Sequence, residues 1–151
     1  MSFLNELINS VTDEELREQL HERVDIVIHK IKFMEKVPVA CLSIENKVHP
    51  PLDHLIELAG GELVHDPLVA KVLIYFEYQT GIAALMGKVV ASLLPQWPAV
   101  KYNHVYLVDD ERVLAKEPQD WVERLEDIAE MLHPGFFVFG NEGKAWVNFS
   151  A

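Results

Sequence analysis

An α/β domain of three layers, with a mainly parallel central sheet, is the fold class this sequence predicts. Three observations carry that expectation. Runs rich in Val, Ile and Leu recur at 37–44, 71–77 and 104–108, as strands buried on both faces require. Apolar residues at helical spacing fill 52–59, 82–94 and 118–132 between and after them. Pro and Gly punctuate the junctions, so strand and helix alternate, and that alternation implies parallel pairing with right-handed crossovers.

Taken in order, residues 3–9 read as a short helix. Thr12 is a candidate N-cap, with Glu15 three residues on completing a capping-box pattern. From Asp13 to about Met34, Leu16, Leu20, Val24, Val27, Ile28 and Ile31 recur at intervals of three and four and predict a long amphipathic helix. The first strand, Val37 to Ile44, leads through a polar loop to Pro51, whose fixed φ suits a first helical turn. Leu52, Leu55, Ile56 and Ala59 then form a helical stripe that Gly60-Gly61 ends. The segment ELVHDPLVA reads as a loop with a possible helical turn, and KVLIYFE, 71–77, as the second strand. A helix at 82–94, with Leu85, Val89, Val90 and Leu93 on one stripe, is stopped by Pro95 and Pro98.

The third strand is VYLV, Val105 to Val108, bounded by Asp109-Asp110. Pro118 starts the next helix, which presents Trp121, Val122, Leu125, Ile128, Ala129 and Leu132 inward and ends at His133-Pro134-Gly135. The tail FFVFGNEGKAWVNFSA reads as a β-hairpin around Asn141-Glu142-Gly143, with Phe137 and Phe139 on one face and Phe136 and Val138 on the other. Such a hairpin is tucked into its own sheet or covered by a partner. The expectation is a single Rossmann-like domain, 1–151. It comprises a helical segment 1–36, an α/β body 37–135 and a terminal hairpin 136–151.

Composition narrows the function. Half of the 151 residues are hydrophobic and 25% charged, as in a soluble globular protein. A formal charge of −11 argues against nucleic acid, because phosphate binding needs a basic face. The one cysteine, Cys41, lies in the first strand, where a small buried hydrophobe is expected. The first twenty residues lack the basic and apolar regions of a signal peptide, and no run has the ~20 apolar residues of a membrane helix, so a cytoplasmic location without membrane insertion is expected.

Sites for chemistry are sparse. His49 and His54 flank Pro50-Pro51, with Glu45 before them and His65-Asp66 after, but the spacing matches no metal motif, and surface histidines are the better reading. Asp109, Asp110 and Glu111 form an acidic cluster whose simpler reading is a solvated loop. Neither a nucleophile elbow nor a phosphate-cradling glycine loop is present, so neither enzyme activity nor a cofactor is expected.

LDHLIELAGGELV at 52–64, PAVKYNHVYLVDD at 98–110 and EPQDWVERLEDIAEMLHP at 117–134 resemble, in order, segments of the second lobe of the cobalamin and iron-siderophore substrate-binding proteins of ABC uptake systems. The resemblance covers about two thirds of the chain, and no segment resembles the first lobe. It implies a helical connector at 13–34 and a ligand face built from the loops after the strands. Carried over by position, those loops contribute Glu45, Asn46 and His49, then Glu77, Tyr78 and Gln79, then Asp110 and Arg112.

Two positions depart from the pattern. Arg112 stands where some cobalamin binders place a stacking aromatic, and Leu114 where they place a transporter-docking Glu. The resemblance therefore implies a binder of a cobalamin-like or iron-chelate ligand. The alternative is a ligand-free interaction domain that keeps only the fold. A lobe lacking its partner lobe exposes apolar surface, so a homodimer is expected, through the 13–34 helix or the terminal hairpin.

Overall fold

A computed structural model describes residues 2–42, 53–76, 81–89, 91, 93–109, 117–143 and 146–149. Helix α1 is Ser2–Asn9 and α2 is Glu14–Ile31, followed by strand β1, Val37–Leu42. Next come α3 (Asp53–Leu58), β2 (Gly61–Leu63), β3 (Val72–Tyr75), α4 (Ile82–Val89) and α5 (Pro98–Lys101). The chain closes with β4 (Val105–Val108), α6 (Pro118–Leu132) and β5 (Trp146–Phe149). One sheet runs in the order β2-β1-β3-β4-β5. Its first four strands are parallel and β5 is antiparallel to β4. The predicted three-layer, mainly parallel α/β architecture is what the chain adopts.

Alternation along the strands divides the core in two. Val39, Cys41, Val72, Ile74, Phe76, Tyr106 and Val108 face one way, toward Leu20, Val24 and Val27 of α2 and Val122, Leu125 and Ile128 of α6. Ala40, Leu42, Leu73, Tyr75, Val105 and Leu107 face the other, toward Leu85 and Val89 of α4 and Ala99 of α5. Each large aliphatic side chain buried in this way contributes about 1.5–3 kcal/mol relative to exposure. Burial pushes the Tyr106 phenol up to about 12, with Glu142 adding to the effect.

Several elements differ from the sequence expectations. Asp13, rather than Thr12, caps α2, its carboxylate accepting from the backbone N–H of Leu16 at 3.2 Å. That helix ends at Ile31, short of Met34. Gly61 begins a strand instead of merely ending α3. Gly60, at φ +89°, turns the chain, and a Cβ at Gly61 would stand 2.6 Å from Ile56 Cγ2. Only a residue without a side chain lets β2 pass that close to α3 and pair with β1. Helix α4 ends at Val89, and Pro98 opens a separate short helix rather than only terminating the previous one.

The terminal hairpin does not form. Phe136–Phe139 is not a strand because side chains of distant helices take its backbone groups. Lys30 Nζ donates to the Phe136 carbonyl at 2.9 Å, and the Phe139 N–H donates to Glu130 Oε1 at 2.7 Å. Phe137 is buried and stacks on Phe139 with centroids 5.8 Å apart, while Phe136 and Val138 are exposed, so the predicted sidedness holds without the strand. Strand β5 joins the chain's own sheet beside β4, with Trp146 buried. Neither Trp146 nor Val27, which is also buried, is a surface contact.

Candidate functional site

Parallel pairing of β1, β3 and β4 brings their carboxyl ends to one side of the molecule. Leu42 lies level with Tyr75, and Tyr75 with Leu107, so the chain leaves all three strands at one edge. Helix α6 runs back from that side, since Leu132 and His133 at its end lie against Gly61 and Gly60 at the start of β2. In open α/β sheets this edge is where ligands are received.

Glu45, Asn46, His49, Glu77, Tyr78, Gln79, Asp110 and Arg112, the residues assigned to this edge from sequence, all lie outside the described residues. Their immediate bases are described. Phe76 follows β3 and Asp109 follows β4, and both are buried. The guanidinium of Arg124, only 3% exposed, sits 5.9 Å from the centre of the Phe76 ring. A planar cation against an aromatic face is held in orientation.

One turn along α6, Asp127 is buried. Burial lifts its carboxyl to about 6, opposed first by the hydrogen bond from Asn141 Nδ2 at 2.9 Å and, more weakly, by Arg124. Arg124 and Asp127 were not among the residues singled out from sequence. Their signal was position: Arg124 lies three residues after Trp121 and four before Ile128, so a charged side chain falls on the inward stripe.

Of the histidine and carboxylate group noted in the sequence, Glu45 and His49 lie outside the described residues. His54, His65 and Asp66 are exposed, and Asp66 Oδ1 instead accepts from the Leu68 N–H at 2.9 Å, an Asx turn. Among the described residues no three His, Cys, Asp or Glu side chains gather as a metal-holding set.

No protein-family model and no curated protein matches the chain. Two solved structures do. An ABC transporter substrate-binding protein from Listeria monocytogenes aligns over 86% of this chain at 18% identity, with a TM-score of 0.59. The TroA-like periplasmic binding protein FepB from Veillonella parvula aligns over 98% at 15% identity, with a TM-score of 0.64. The fold is that of a lobe of a substrate-binding protein. The chain spans 62% and 58% of the lengths of those two proteins. Among the described residues no helix is long and apolar enough to cross a membrane.

Proposed function

We propose that the chain is a small-molecule binding module. Its ligand, a cobalamin-like or iron-chelate molecule, would be received on the loops at the carboxyl ends of β1, β3 and β4. The carrying observation is the fold likeness to two substrate-binding proteins over 86% and 98% of the chain. The reading includes a cytoplasmic location and a cleft closed by a second copy.

A titration followed by visible absorbance, with cyanocobalamin and with ferric catecholate and hydroxamate chelates, tests the binding claim. Saturable spectral change with at least one chromophore is expected, weakened about tenfold or more in a Tyr78→Ala/Arg112→Ala variant that keeps its circular dichroism. No saturable change with any chromophore would refute the ligand class. It would favour the interaction-domain reading, for which the exposed Phe33 and Val138, at 92% and 83%, are the specific support. Sedimentation velocity at micromolar concentration tests the pairing: a dimer is expected, and a monomer would remove the second copy from the reading.

A further inference from the structure

An opening lies at the opposite end of the sheet. A cavity of about 690 Å³ lies where β1 and β3 begin, with Val37 and Val72 at its strand edge and Met131 at its helix edge. Its volume falls in the range of small-molecule sites, about 300–1,000 Å³. Residues that build it come from separated parts of the chain: the head of β1, the turn before β3, the start of α5, the residue before β4 and the end of α6.

Besides the Tyr102 phenol, two nitrogen-bearing side chains line this largely apolar space, Lys71 and His104. Both are mounted on anchored backbone. The Lys71 N–H donates to the Pro38 carbonyl at 2.9 Å. The His104 N–H donates to Ala99 O at 2.7 Å, and its carbonyl accepts from Leu73 N–H at 3.0 Å. Asn103, at φ 61°, makes the left-handed turn that sets His104 there, a conformation Asn tolerates better than most residues. Neither side chain makes a hydrogen bond or ion pair with another described residue.

Charge identifies the occupant. The chain carries 24 Asp and Glu against 13 Lys and Arg, yet no carboxylate is among the described residues lining this cavity. An ammonium group and an imidazole, which has a ring N–H in either tautomer, belong to a lining that has no described carboxylate, while a smaller neighbouring cleft that His104 also lines carries Glu130 and Glu142. We infer that the cavity is a binding site for a small amphipathic carboxylate, its apolar body against Val37, Val72 and Met131 and its carboxylate held by Lys71 and His104. Lys71 supplies the charge-assisted hydrogen bond and His104 the second donor. The site is separate from the strand carboxyl ends and does not depend on what binds there.

The test titrates the full chain by calorimetry with 1-naphthylacetate, its neutral counterpart 1-naphthylacetamide, and decanoate. Saturable binding of one carboxylate per chain is expected, with the amide about tenfold weaker, the equivalent of one lost charged contact. The better carboxylate of the two sets whether the body is aromatic or straight-chain. Lys71→Gln should bring naphthylacetate down to the level of the amide and leave the amide unchanged. Val69→Glu changes a 56%-exposed residue at the cavity rim, so it keeps the fold while placing a carboxylate at the mouth. It should weaken both carboxylates at least tenfold, whereas the Tyr78→Ala/Arg112→Ala variant should bind them as the unaltered chain does. Absence of saturable binding of either carboxylate would overturn the inference, as would affinity unchanged by both Lys71→Gln and Val69→Glu.

Discussion

The two faces of the sheet are built from the same strands and differ in almost everything laid over them. One face is covered by α1, α2, α3 and α6, with α2 and α6 the longest helices of the fold. The other is covered by the eight-residue α4 and the four-residue α5. Polar fasteners concentrate on the first face. Arg23 grips Glu126 through two hydrogen bonds, and Asn141 Nδ2 reaches both Asp127 and Glu123. The second face buries a cluster of apolar and aromatic side chains, among them Leu73, Tyr75, Leu85 and Val89. Long crossing helices can slide relative to each other, so directional contacts fix their docking. Short helices are fixed by the loops that tether them.

Core truncation probes this contrast most strongly. Ile128→Ala should cost about 2–5 kcal/mol in denaturant unfolding, because α6 is held by its neighbours and cannot settle into the void. Leu85→Ala, equally buried, should fall at the lower end of that range, since a short helix can move inward. A larger loss at Leu85 than at Ile128 would break the comparison.

Asp127 offers the next largest effect, and its sign depends on pH. The folded protein holds this proton up to about 6, above the ordinary carboxylate value of 3.8, chiefly because of burial. The folded state therefore binds the proton more tightly than the unfolded chain. The resulting stabilisation is full below about 3.8 and is lost as pH rises to about 6. Asp127→Asn should raise stability at pH 7.5 by roughly 1–3 kcal/mol and flatten its pH dependence between 4 and 6.5. Thermal melts across that interval are the measurement, and a destabilised variant at pH 7.5 would show that the carboxylate itself is needed there.

Arg23→Met should cost about 1–2 kcal/mol, because it leaves Glu126, with a side chain 10% exposed, without its cation. The arginine is itself 37% exposed, which keeps the loss below that of a fully buried pair. Phe33→Ser should change stability least, by no more than about 0.5 kcal/mol, since that ring is 92% exposed. If it also converts a dimer to a monomer, Phe33 belongs to the surface between copies.

How far the sequence reaches follows from where each element gets its information. The bounds of β4 and α6 were legible to the residue. VYLV is a β-branched and aromatic run stopped by Asp109, and Pro118, with its fixed φ, suits the first turn of a helix. Strand β2 was not legible, because three residues beginning with Gly61 carry almost no pattern. Pairing with β1 makes them a strand. Phe136–Phe139 went wrong in the opposite sense: a strong local β signal loses to Lys30, 106 residues away, and to Glu130. At the candidate site the edge was legible from strand–helix alternation. Arg124 needed the further step of asking why a cation sits on an apolar stripe.

Cys41 gives the molecule a built-in clock. Its thiol is fully buried in β1, which has a strand on either side, beneath the more heavily covered face. An alkylating reagent in solution meets this sulfur only when the helices lift from the sheet or the sheet parts. The labelling rate in native buffer thus counts those excursions, and mass spectrometry reads it without an added probe. Slow labelling that accelerates in step with global unfolding would mean the face opens as one unit. Labelling faster than unfolding would reveal a smaller door, opened while the rest of the fold stays shut.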